Sequence, residues 1–228
     1  MIYMKGSSMN RKTSCILLGA GGHARMLLEC LHFSPDVKVA GILDPSSSLM
    51  GSYVHGVPVL GDDSLLGDIY KQGVSHFVVG IGGIGNNLPR KKMFEMALGF
   101  GLIPLDVKHP TAILSPFAVY GKGCQFLPGS IVNTGVVLGS NVIVNSGAII
   151  EHDCVLADHV HVATGAKLAG TVRVGEGAHI GAGATVRQGI VIGEYAIIGL
   201  GAAVVKDVPP RTTVMGVPAK IYSEKVIK

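Results

Sequence analysis

The sequence predicts two units in one chain, an α/β Rossmann-like unit followed by a parallel β-helix. Three observations predict it. Residues 113–208 carry a six-residue period with no insertion. The stretch before them alternates short apolar runs with helical patterns, and its first run ends in a glycine-rich turn. The composition, 48% hydrophobic with 33 glycines, suits compact repeats joined by tight turns.

In chain order, residues 1–13 read as an N-terminal extension, a candidate for disorder. They lack an apolar core and a cleavage site, so they do not read as a signal peptide. Met1, Met4 and Met9 leave the starting methionine open. Residues 14–19 form an apolar run that leads into Gly19-Ala20-Gly21-Gly22-His23-Ala24, and Ala24, Leu27, Leu28 and Leu31 follow at helical spacing. This order of strand, glycine turn and helix fits the pattern G-x-G-x-x-G/A, with Ala24 last. Glycines there let backbone N–H groups and a helix N-terminus approach phosphate oxygens. The alternative is a tight turn that binds nothing.

Residues 37–43 form a second strand that ends at Asp44, 25 residues past Gly19. An acid at that place commonly accepts a hydrogen bond from a ribose; the alternative is a capping aspartate ahead of Pro45. Residues 57–61 read as a short edge strand, 63–71 as a helix, and 76–81 as a buried strand ending in Gly82-Gly83. Residues 86–98 read as a helix whose Arg90, Lys91 and Lys92 form a solvated basic face. The unit, residues 14–108, is short for two complete nucleotide-binding halves. A mononucleotide, such as the UDP of a sugar nucleotide, fits it better than NAD.

From residue 113 the second position of every block is apolar, from Leu114 and Tyr120 through to Ile198 and Val204. The sixth position is small or aliphatic, and glycine often stands three after the large apolar residue, where left-handed backbone turns a corner. A period of six with one large inward residue is the signature of a hexapeptide β-helix. Three blocks make one coil, so sixteen blocks give a little over five coils. With strands about 4.8 Å apart the prism is roughly 25 Å tall. We take the β-helix as residues 109–208, stopped by Val208-Pro209-Pro210, with 209–228 as a turn-rich tail.

The net charge of +4 is mild and no basic tract argues for nucleic acid. No apolar run is long enough to span a membrane. Cys15, Cys30, Cys124 and Cys154 have no framework spacing, and the last two fill small interior positions. Reduced thiols and a cytoplasmic protein are expected.

Candidate chemistry lies in the β-helix. His152 follows the inward Ile150 by two and is followed by Asp153. A carboxylate beside an imidazole sets its tautomer and raises its basicity. A neutral histidine suits removal of a proton from an attacking amine or hydroxyl. Acyl transfer from a thioester needs little more than a nucleophile, a base and donors for the oxyanion. Adjacent strand residues diverge, so Asp153 has to reach His152 through a turn or bulge. Eighteen residues on from His152 stands Gly170, one coil away, which leaves open space beside the imidazole. His161 and His179 stack by the same spacing, and His159 reads as structural.

These features together resemble the hexapeptide-repeat acyltransferases of two kinds. One is the sialic-acid-type sugar O-acyltransferases and the other the UDP-amino-sugar N-acetyltransferases of the bacillosamine pathway. The most specific stretches are 145–154 and 161–170. The resemblance implies a left-handed β-helix and acetyl-CoA as acyl donor, with no metal. It implies His152 as general base assisted by Asp153, and His161, Gly170 and Lys220 around acetyl-CoA. Gly19, Gly21, Gly22, His23 and Asp44 match its nucleotide-sugar site. It also implies a homotrimer with active sites between neighbouring prisms. Outward Val137, Ile143, Ile149 and Val191 offer apolar surface for such contacts.

The leading expectation is N-acetylation of a nucleotide-linked amino sugar for surface glycan synthesis. The runner-up is O-acetylation of a sialic acid or related sugar. A metal-dependent, carbonic-anhydrase-like hydration through His152, His161 and His179, and a non-catalytic sugar-nucleotide binder, are the readings from other classes.

Overall fold

The computed structural model describes residues 12–224. Most of the expected N-terminal extension (1–11) and the end of the tail (225–228) therefore lie outside the described residues. Thr13 already belongs to the first strand.

The N-terminal unit is a six-stranded sheet flanked by helices. Its strands are β1 (Thr13–Leu18), β2 (Val37–Leu43), β3 (Tyr53–Val54), β4 (Val57–Gly61), β5 (His76–Val79) and β6 (Ile103–Pro104), in the order β3-β4-β2-β1-β5-β6. All pairs are parallel except the β3–β4 hairpin. The expected edge strand 57–61 thus lies one place in from the edge, because β3 folds back onto it. Helix α1 (Gly22–His32) buries Ala24, Leu27, Leu28 and Leu31, its apolar stripe at helical spacing. The expected 63–71 helix opens as a 3₁₀ turn, Asp63–Leu65, in which the Asp62 carboxylate accepts the Ser64 N–H at 3.0 Å. It continues as α2 (Leu66–Lys71). Helix α3 (Leu88–Gly99) has Pro89 in its first turn, where a missing N–H costs nothing.

Each of the sixteen blocks forms a two-residue strand at its first two positions, from Ile113–Leu114 to Ala203–Val204. Every block strand as far as Thr185–Val186 pairs in parallel with the one eighteen residues on, as His161 does with His179. The result is a left-handed β-helix of three sheets. Inward residues from Phe126 to Val204 are at most 3% exposed and form one core. Leu114 and Tyr120 differ. They sit at the open base, where no coil covers them; Tyr120 is 41% exposed and leans edge-on against Phe126 at 5.0 Å.

The stack is longer than residues 109–208. It begins with Val107–Lys108 paired to Gln125–Phe126, and Thr212–Met215 adds a last parallel strand above Ile197–Ile198. The expected turn-rich tail also carries an antiparallel strand, Lys220–Glu224, which folds back onto that last strand.

One face of the prism is covered by the N-terminal unit. Its outward residues Gln125, Ile143, His161 and His179 are all under 10% exposed. Ile143 is therefore not free apolar surface; Val137 and Val191, on another face, are about half exposed. Arg90 also departs from the solvated basic face expected of its helix. It is fully buried, and its guanidinium donates to the backbone carbonyls of Asn141, His159 and Val160. Asn87 donates to the carbonyls of Gly177 and Ala178 at 3.0 and 3.1 Å. Lys91 reaches Glu176 at 2.6 Å.

Candidate active site

The corner turns of the β-helix place the first group of functional residues. From Gly123 to Gly201 the position three after each large inward residue takes a left-handed backbone, mostly at glycine, but also at Asn141, Asp153, His159, Thr171 and Tyr195, with φ between 53° and 61°. Asp153 stands at that position after Ile150. Its reversed backbone swings the carboxylate back, and Oδ2 lies 2.9 Å from His152 Nδ1. A carboxylate only accepts, so Nδ1 carries the proton and Nε2 is left with its lone pair. Both side chains are open to solvent.

Two glycines make room for this pair. A Cβ on Gly135, one coil before, would lie 2.4 Å from Asp153 Oδ1. A Cβ on Gly170, one coil after, would lie 2.5 Å from His152 Nε2. The space expected beside the imidazole is thus taken by the imidazole itself. At the same corner Asn133 Nδ2 donates to Glu151 Oε2 at 3.0 Å.

A second group meets in a cavity of about 720 Å³ between the units. Gly19, Gly21, Gly22, His23 and Asp44 line it from the N-terminal side, and Asn145, Ser146, His161 and Thr164 from the prism. Asp44 Oδ2 accepts the Ala20 N–H at 2.8 Å, and Oδ1 accepts the Ser46 N–H at 2.9 Å. The acid therefore clamps the glycine turn, with lone pairs left over for a ligand. Residues 80–84, in the second glycine-rich loop, form another wall.

His161 separates this cavity from an apolar groove of about 360 Å³, lined among others by Ile84, Ala163, His179, Ala182 and Leu200. Its Nδ1 lies 2.9 Å from the Gly83 carbonyl, which only accepts, so Nδ1 donates. Nε2 then accepts from Asn145 Nδ2 at 3.3 Å. Burial holds the His161 pKa well below the usual histidine range, helped by nearby His179, Arg90 and His23. Burial, and then the Arg90 charge, lowers His179 to about 4. Both rings are neutral near pH 7.

The expected residues thus fall into three places. Gly19, Gly21, Gly22, His23, Asp44 and His161 meet in one cavity. His152, Asp153 and Gly170 meet at a corner, and Lys220 lies apart in the closing hairpin, beside a cavity of about 410 Å³. Of the prism residues of the first cavity, Asn145, Ser146 and Thr164 lie in turns that precede the strand Ile149–Ile150 or its stacked neighbour, and His161 lies in the strand His161–Val162; His152 lies in the turn that follows Ile149–Ile150. The two groups occupy different edges of one prism. His152 also stands apart from His161 and His179, and among the described residues no three metal-ligating side chains converge. Among those residues no helix is long and apolar enough to cross a membrane. Gln125 and Asn87 carry no mark in the sequence, and Arg90 reads there only as part of a basic face, because their partners belong to the other unit.

Residues 14–97 match the family model described as the PglD N-terminal domain. No curated protein matches the chain. Among solved structures, a variant of perosamine N-acetyltransferase from Caulobacter crescentus, in complex with CoA and GDP-perosamine, is 37% identical. The match covers 92% of this chain and 97% of that one, with a TM-score of 0.86. The acetyltransferase domain of PglB from Neisseria gonorrhoeae, in complex with acetyl coenzyme A, is 35% identical over 92% and 99% of the chains, with a TM-score of 0.84. WeeI from Acinetobacter baumannii is 27% identical over 92% and 100%, with a TM-score of 0.78.

Proposed function

We propose, for a chain that belongs to the hexapeptide-repeat sugar acetyltransferases, that it moves acetyl from acetyl-CoA to the amine of a nucleotide-linked amino sugar. The observation that carries the reading is the His152–Asp153 pair, with Nδ1 engaged at 2.9 Å and Nε2 free to accept a proton. Acetyl-CoA supplies an acyl group already activated as a thioester. The amine nitrogen forms the new bond to the acyl carbon as the carbon–sulfur bond breaks. His152 takes the amine proton at Nε2 and returns it to the departing thiolate. Asp153 keeps the imidazole in the required tautomer and steadies its charged form.

The cavity with both glycine loops and Asp44 suits the nucleotide, and the apolar groove beyond His161 suits the thioester arm of the donor. Gly170 places a backbone N–H beside His152 as a donor for the oxyanion. The base and the cavity lie on different edges of the prism, so the reading requires a homotrimer in which one subunit's base serves its neighbour's cavity. Val137 and Val191, exposed on an uncovered face, supply apolar surface for that contact.

A thiol-release assay tests the reaction. Acetyl-CoA is offered with GDP-perosamine, with UDP-linked amino sugars and with free sialic acids. Turnover is expected with a nucleotide-linked amine, and turnover on free sialic acids alone would sink the reading. Subunit mixing tests the shared site. His152→Ala and Asp44→Ala proteins, assembled together, should regain activity that neither has alone at low sugar-nucleotide concentration.

A further inference from the structure

His23 closes one side of the nucleotide cavity, and the reaction described above gives it no defined role. Its Nε2 lies 2.7 Å from Gln125 Oε1, and Gln125 Nε2 lies 2.8 Å from the Val79 carbonyl. Gln125 is 1% exposed, so no bulk water can replace either partner. The chain of bonds has only one consistent direction. The Val79 carbonyl can only accept, so it faces the amide nitrogen of Gln125. The amide oxygen, which can only accept, therefore faces His23, and His23 Nε2 must carry the hydrogen. Flipping the amide would set oxygen against oxygen at Val79. Nδ1 has no hydrogen-bond partner among the described residues, and it lies beside Gly82, which lines the cavity together with His23.

We propose that Gln125 is a positioning residue that fixes His23 as its neutral Nε2–H tautomer, so that Nδ1 meets the bound ligand as a hydrogen-bond acceptor. The cavity then reads a donor at that point, a hydroxyl or N–H of the sugar nucleotide, and not a phosphate oxygen. Phosphate contacts fall to the backbone N–H groups of the glycine turn. A second proton on His23 is opposed by burial and, more weakly, by the Arg90 guanidinium; the Gln125 hydrogen bond works the other way, and the balance holds the His23 pKa below the ordinary value. His161, the other titratable ring in this part of the cavity, is itself neutral. The part of the inference that concerns the ligand rests on the function proposed above; the tautomer does not.

Nitrogen-15 NMR of the histidine rings in the full-length protein tests both parts. In the free protein His23 should show a protonated Nε2 and an unprotonated Nδ1; a proton on Nδ1 overturns the proposal. Gln125→Leu should release the ring to a mixture of tautomers. It should also raise KM for the sugar nucleotide about tenfold, with that for acetyl-CoA nearly unchanged, the loss of one well-placed hydrogen bond. An unchanged His23 spectrum in Gln125→Leu overturns the role of Gln125. With GDP-perosamine bound, Nδ1 should stay unprotonated, and a second proton there would mean a phosphate contact and reject the donor assignment. Failure of every amino sugar to turn over would count against the proposed reaction, while the spectrum of the free protein would still decide the tautomer.

Discussion

The backbone of Asp153 turns left-handed at φ 58°, and this reversal returns its carboxylate to the imidazole that precedes it. The sequence shows the pair but not the reach, since neighbours on a strand point apart. The period does hold a clue. Asp153 stands three after Ile150, the place where most other blocks carry glycine. The His152 side chain is about half exposed, so its removal opens no core cavity. His152→Ala should lower kcat by about 10²–10⁴ while leaving acetyl-CoA binding and melting temperature alone. Asp153→Asn should cost less, because it orients the base without taking the proton. Near-normal turnover by His152→Ala would move the base elsewhere. Gly170 is not in the left-handed region, so its lack of a side chain answers to space and not to backbone. Gly170→Ala should displace the ring from Asp153 and lower kcat at least about tenfold, one hydrogen bond's worth, with an unchanged melting temperature. Full activity in that variant would show that the ring has another seat.

At the scale of elements, α3 decides how the two units sit together. Its sequence reads as a helix with a basic face, and the helix is there, but the fate of the charges depends on the prism it meets. Arg90 spends its donors on three carbonyls of turns one coil apart, and no carboxylate pairs with it in those bonds. Burial lowers its pKa to about 9, which still leaves it charged near neutrality. Arg90→Ala would strand the carbonyls of Asn141 and His159, while Val160 keeps the Ile143 N–H, and would open a cavity, at a cost on the order of 2–4 kcal/mol. Lys91 and Glu176 are in contact with solvent, so Lys91→Ala should cost under about 1 kcal/mol. Urea unfolding of the two variants checks the ranking, and equal losses would refute it. The β-helix strands needed no such context. Their period states which residue turns inward, and all sixteen strands start where it places them.

For the whole molecule, the seam between the units holds four histidines whose pKa values the fold lowers, His23, His159, His161 and His179, each mainly through burial. The unfolded chain binds more protons than the folded one wherever these groups titrate apart. Stability from their neutral state is therefore complete above the ordinary histidine pKa of about 6.5. It is lost as pH falls from there towards about 4, the value for His179. The urea midpoint should drop steadily across that window, and a midpoint flat between pH 7 and 5 would contradict the account. Sequence periodicity could place His161 and His179 one above the other, but not under a second unit. Nothing in a single unit's pattern states which of three prism faces another unit will cover, and that is why the cavity's two walls were legible separately and not as one site.

The docked face also governs how this chain can change length. Every contact across the seam, from Gln125 to His179, depends on positions eighteen residues apart sharing one face. Loss of a single hexapeptide between them would turn everything downstream by a third of a revolution, carrying His161 and His179 away from the loop at Gly83. Loss or gain of three hexapeptides would keep the phase and change only the height, by about 4.8 Å. Viable length variants of the prism should therefore come in whole revolutions, as a screw advances by its pitch.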